Sequence, residues 1–202
     1  MIERKLTPGE FISLGDISEI PPQGAGPEVT FGCEDRTIGI SENFFGPKKR
    51  TINPGENLSA NKGHRNFIWL PFMPTKTNYT LSQGKDVLSG KFSGCYMISY
   101  TVGGMRRVAH VATPEAKASW NATVANVNYQ MIAGFQPMES VNVNGLNMLK
   151  DDLDVVFLGL ITAIDTLYSV VLAKLDARGT RFRIMKVDLV PSLAHNVLTN
   201  LP

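Results

Sequence analysis

The stretch FSGCYMISYTVGGMRRVAHVAT, residues 92–113, decides how this chain is read. Aromatic and β-branched residues fill 92–102, Gly103 and Gly104 supply a two-residue turn, and 105–113 resumes an extended apolar pattern, so the stretch reads as a β-hairpin. A turn centred on the two glycines sets Val102 opposite Met105. Counting outward, His110 falls opposite Met97 and Cys95 opposite Ala112. Cys95 and His110 are then diagonal neighbours on one sheet face, roughly 7–8 Å apart at the backbone and nearer at the side chains. A slip of one residue would send them to opposite faces, so the register carries the proposal.

Outward from the hairpin, residues 66–72 (NFIWLPF) read as a buried strand ended by Pro71 and flanking the hairpin, and 74–90 as a polar passage. On the other side a helix is expected. Thr113 would cap it, Pro114 and Glu115 suit its first turn, and Trp120, Val124, Val127 and Met131 recur at helical spacing as a core stripe. Residues 134–152 read as irregular and near the site. The last third holds three strands, 153–162, 166–175 and 181–190, joined as a meander. Its first strand, with Val155 to Leu158 apolar in succession, is expected to be central and covered on both faces. Pro191 is expected to start a short terminal helix.

The beginning is less regular. Residues 1–27 read as an irregular arm, 28–40 as two short strands in an edge hairpin, and 46–63 as a long surface loop. Many strands with one main helix indicate a single α+β domain over residues 1–202, built on a mostly antiparallel β-sheet or sandwich flanked by helices.

Composition is that of an ordinary globular chain: 202 residues, 43% hydrophobic and 19% charged, with a formal net charge of +2. So small a charge gives no argument for nucleic acid. The start MIERKLTPGEF carries no apolar core behind its charges, and no run approaches the roughly 18 apolar residues of a membrane span. The expectation is a chain with no cleavable signal and no membrane partner. The two cysteines, Cys33 and Cys95, exclude a disulfide framework, and a catalytic Cys95 requires that they not be bridged. No CxxC, HExxH, GxGxxG or GxxxxGK[ST] spacing occurs, so no metal and no cofactor are expected. His64, in the polar loop, and His195, in the terminal helix, read as surface or capping residues.

A cysteine nucleophile needs a thiolate and a group that later protonates the departing amine, and one histidine within reach does both. Cys95 and His110 meet that need. Gly94 lets a substrate approach the backbone, neighbouring amides can support an oxyanion, and Ser93 and Ser89 are possible helpers. The competing reading is a small buried cysteine and a core histidine, the commoner fate of such residues.

Phe92-Ser93-Gly94-Cys95 followed by a hairpin return carrying His110 resembles the glutamine deamidase toxins related to cytotoxic necrotizing factor and Burkholderia lethal factor. Their motif is Leu-Ser-Gly-Cys, from which this chain departs at the first position. The spacing to His110 is like that of the necrotizing-factor branch. Phe67-Ile68-Trp69-Leu70-Pro71-Phe72 is similar to the Ile-Leu-Trp-Leu-Pro-Trp strand of the lethal-factor branch. In the lethal factor, and in a chemoreceptor deamidase of the wider superfamily, a threonine six residues before the cysteine assists the histidine; Ser89 stands there. Outside residues 66–114 nothing is similar.

The resemblance implies a deamidase-toxin-like fold and hydrolysis of a protein glutamine to glutamate without metal or cofactor. It further implies a monomeric bacterial effector, exported without a cleavable signal, that acts in the host cytosol. Its partner would be a host regulatory protein of the GTPase or translation-factor class. Two alternatives stay open: a cysteine protease or transglutaminase built on the same dyad, and a non-enzymatic β-rich binding protein.

Overall fold

The computed structural model describes residues 2–13, 17–41, 49–54, 65–126, 128–150, 152–177 and 181–202. After a 3-10 turn at Ile2–Lys5 come β1 (Phe11–Ser13), β2 (Glu28–Val29), β3 (Glu34–Ser41), β4 (Lys49–Pro54), β5 (Arg65–Leu70), β6 (Thr77–Leu81) and β7 (Asp86–Gly90). Then follow β8 (Tyr96–Val102), β9 (Met105–Val111), α1 (Lys117–Asn126), β10 (Tyr129–Phe135), β11 (Asp154–Ile161), β12 (Leu167–Lys174), β13 (Arg181–Val190) and α2 (His195–Leu198). The molecule is mostly β-sheet, largely antiparallel, with little helix. Among the described residues no helix is long and apolar enough to cross a membrane.

Two sheets build the fold. Eight strands close a barrel in the order β1-β13-β12-β11-β7-β5-β3-β4, sealed by the parallel pairing of β1 with β4. The other five form a sheet in the order β10-β8-β9-β6-β2. The two-residue period of a strand assigns each side chain to a layer. On β5, Phe67 and Trp69 enter the barrel core with Leu88, Leu158 and Leu160, while Ile68 and Leu70 face outward. That outward face meets Cys95, Met97 and Val108 of the five-stranded sheet in a second core between the layers. The sheet's far face, with Tyr96, Ile98, Tyr100, Ala109 and Val111, packs on Trp120 of α1. Both faces of β8 are thus covered, and burial of this apolar area holds the layers together.

The layers meet closely at Gly159, where an added Cβ would lie 2.7 Å from Met97 Sδ and 2.8 Å from Pro137 Cγ. A polar staple joins them at one edge. Arg106 of β9 donates to Asp165 in the β11–β12 turn (Nε to Oδ1, 2.9 Å) and to the Thr162 carbonyl (2.9 Å), and Ser99 of β8 donates to the same carboxylate (2.7 Å).

The hairpin has the register expected from its turn. Met97 pairs with His110 and Val102 with Met105, and Gly103 and Gly104 both take the positive φ that a two-residue turn demands. The terminal meander also forms as read, although Val155, Val156 and Phe157 on β11 are only half-buried and full burial begins at Leu158.

Other expectations are corrected. The arm 1–27 is not irregular throughout: Ile2, Leu6, Ile12 and Ile17 enter the barrel core and β1 closes the barrel. Residues 28–40 form no hairpin, because β2 pairs with β6 in one sheet and β3 with β4 and β5 in the other. The loop 46–63 contains β4; its remainder and His64 lie outside the described residues. β5 does not flank the hairpin within a sheet but faces it across the layer seam.

The passage 74–90 holds two strands, and several of their polar residues are buried on partners. Asn78 donates to the Phe31 and Pro71 carbonyls, and Asp86 accepts from the Ile2 and Ala163 amides. The helix starts at Lys117 and not after Thr113, whose hydroxyl is bonded to Gly94; it ends at Asn126, and Met131 lies on β10. The terminal helix starts at His195, four residues beyond Pro191.

Candidate active site

The seam between barrel and sheet gathers three of the residues singled out in the sequence. Ser89 lies on β7 with its side chain toward the seam, because Leu88 beside it faces the barrel core. His110 comes from β9, and Cys95 immediately precedes β8 on the face of Met97. Cys95 and His110 therefore share one side of the five-stranded sheet. Both cysteines are free thiols.

His110 is 1% exposed. Phe92 stacks on its imidazole with centroids 4.0 Å apart and planes 8° from parallel, and Phe72 touches it at 5.0 Å. Burial lowers its pKa from 6.5 to about 3, so the ring is neutral at physiological pH. Its Nδ1 lies 2.8 Å from Ser89 Oγ, which itself donates to the Leu70 carbonyl at 2.7 Å.

That chain assigns the tautomer. A carbonyl only accepts, so the single hydroxyl proton of Ser89 goes to Leu70, and Nδ1 must then donate its own proton to Ser89. The proton is held on Nδ1 and Nε2 keeps its lone pair. Among the described residues Nε2 is buried without a hydrogen-bond partner, the Cys95 thiol included. A buried nitrogen left unsatisfied is costly, and such atoms mark places where a structure is incomplete without another group.

Cys95 is 3% exposed, beneath an exposed Ser93 and a half-buried Gly94. Burial pushes its thiol pKa up; hydrogen bonding at Thr113, backbone and side chain, and at the Ser93 backbone pulls it back, and Glu115 adds to the rise. Gly94 has φ +106°, a conformation that favours glycine, and a Cβ there would meet nothing nearer than Thr113 Oγ1 at 4.0 Å. The Gly94 carbonyl accepts from Thr113 Oγ1 at 2.7 Å and from Gln136 Nε2 at 3.0 Å.

A cleft of about 440 Å³ opens beside this set. Phe72, Phe92 and Ser93 line it together with Ile17, Val156 and Phe182, so the two rings that shield His110 also form a wall of the cleft. Ser93 reaches the cleft rather than the imidazole. Among the described residues no three histidine, cysteine or acidic side chains are grouped to hold a metal ion. His195 is exposed at the start of α2, away from the seam.

The sequence reading missed Phe72, Phe92 and Gln136. Phe72 and Phe92 carried only a general signal of apolar core, and Gln136, a single amide after a strand, carried none.

Fold and site together define a mostly β protein in which a thiol, an imidazole and a hydroxyl converge between a barrel and a sheet. No protein-family model and no curated protein matches the chain.

Proposed function

We propose that this chain is a cysteine-dependent protein-glutamine deamidase, a bacterial effector acting on a host regulatory protein. The observation that supports the reading best is the Leu70–Ser89–His110 chain, which leaves an unpartnered Nε2 lone pair on the sheet face that carries Cys95. Nε2 removes the thiol proton, and the thiolate adds to the glutamine carboxamide carbon while the C=O electron pair moves to oxygen. The tetrahedral adduct collapses, its C–N bond breaks, and His110 gives the proton to departing ammonia. Water, deprotonated at the same nitrogen, then cleaves the thioester and leaves glutamate with the thiol restored. Ser89 holds the tautomer throughout, the part a third residue plays in a triad. The cycle requires that Phe72 and Phe92 part from the imidazole, because a carboxamide must reach both Cys95 and Nε2.

Wild type and Cys95→Ser, incubated with eukaryotic lysate and analysed by mass spectrometry, test this reading. Glutamines converted to glutamate by the wild type alone support it; equal conversion in both samples, or none in either while the protein is folded, defeats it. Added amine separates deamidation from acyl transfer, and peptide-bond cleavage would mark a protease.

A second reading is favoured by the burial of both groups: a non-enzymatic β-rich binding protein, in which a thiol of raised pKa beside a neutral imidazole is inert. Stoichiometric alkylation of Cys95 by iodoacetamide, slowed in His110→Ala, would argue against it.

A further inference from the structure

Thr113 and Gln136 both donate to the Gly94 carbonyl, one from the chain after β9 and the other from the chain after β10. A trans peptide is planar, so fixing the Gly94 C=O fixes the Cys95 N–H in the opposite direction. Among the described residues that N–H has no hydrogen-bond partner. The space over Gly94 is open as well, as its missing Cβ shows. A free amide on the nucleophile's own residue, held in place before any substrate arrives, is the donor that an oxyanion forming on an attacked carbonyl needs.

We infer that Gln136 is a positioning residue: with Thr113 it clamps the Gly94–Cys95 peptide so that the Cys95 amide receives the oxyanion of the acyl adduct. Gln136 is itself well anchored. Phe135 before it is fully buried, its own carbonyl accepts from the Ser140 amide at 3.0 Å, and the Pro137 carbonyl after it accepts from Ser169 at 2.6 Å. Its side-chain amide therefore reaches Gly94 from a fixed backbone. This inference rests on the proposed acyl chemistry of Cys95 and names a part of it that leaves the thiol untouched. Thr113 also contacts the thiol, so Gln136 is the cleaner residue to change.

Two reagents separate the roles. With p-nitrophenyl acetate the Cys95 sulfur adds to the ester carbonyl, the oxyanion forms, and p-nitrophenolate leaves with the acetyl group retained on sulfur. Iodoacetamide is displaced directly at carbon, iodide leaves, and no oxyanion arises. Both rates are measured on wild type, Gln136→Leu and Gln136→Glu, each taken as the difference from Cys95→Ser, which retains Cys33. The expected result is acylation slowed about tenfold or more in both variants, with alkylation within about twofold of wild type.

Parallel falls in the two rates would show only a disturbed thiol and overturn the inference; so would unchanged acylation, or a wild type that is not acylated. Selective loss of acylation alongside a wild type that converts no glutamine would keep the clamp and remove the deamidase reading.

Discussion

Burial of His110 makes a quantitative prediction about stability against pH. In the unfolded chain the imidazole binds a proton at about pH 6.5; in the folded protein it does so only near pH 3. Between those values the unfolded state holds one more proton than the native state, so stability falls as the pH drops through this window. The slope approaches about 1.4 kcal/mol per pH unit. Lowering the pH from 7 to 5 should therefore remove about 2 kcal/mol through this group alone, on a ceiling of about 5 kcal/mol reached below pH 3.

The assay is urea unfolding followed by the fluorescence of Trp69 and Trp120, both buried, for wild type and His110→Gln. The wild type should lose about 2 kcal/mol more than the variant over that pH range, since other groups titrate in both. A difference below about 0.5 kcal/mol would refute the reasoning. Direct observation of the His110 ring titrating near pH 6.5 by NMR in the wild type would refute it too, even if the variant does not fold.

The tautomer is tested by the same spectra, in which wild-type His110 should show a protonated Nδ1 and a bare Nε2; Ser89→Ala should blur that preference and lower any Cys95-dependent activity at least tenfold, while Ser89→Thr retains it. Replacement of Gly159 by alanine should cost about 1–3 kcal/mol in urea unfolding, because Met97 and Pro137 both stand under 3 Å from the new Cβ, and an unchanged midpoint would mean that the layers part easily. Asp165→Ala should destabilise by about 2–3 kcal/mol, since it leaves the partly buried Arg106 without its carboxylate, whereas Asp165→Asn should cost less; equal losses would place the effect in the turn rather than in the staple.

What could be read from the sequence was what local chemistry dictates. Gly103-Gly104 admits one tight turn, and that turn fixes which residues of the hairpin face each other. The terminal meander showed itself because its apolar runs are long and its turns short. β6 and β7 were hidden because Asn78, Asp86 and Ser89 look like surface residues, and only the distant partners that satisfy them make burial tolerable. Met131 kept helical spacing with Trp120 by coincidence, and pairing with Tyr100 of β8 placed it in a strand. At the site, Cys95, His110 and Ser89 came from the motif. Phe72 and Phe92 stood inside the quoted stretches, but nothing in those stretches showed that their rings would cover the imidazole, and nothing around Gln136 showed that its amide would reach Gly94.

The seam between barrel and sheet has a last consequence. Ser89 and the Leu70 carbonyl belong to one layer, Cys95 and His110 to the other, so neither half holds a complete reactive set. On the proposed chemistry, reactivity therefore depends on both layers being folded and closed on each other.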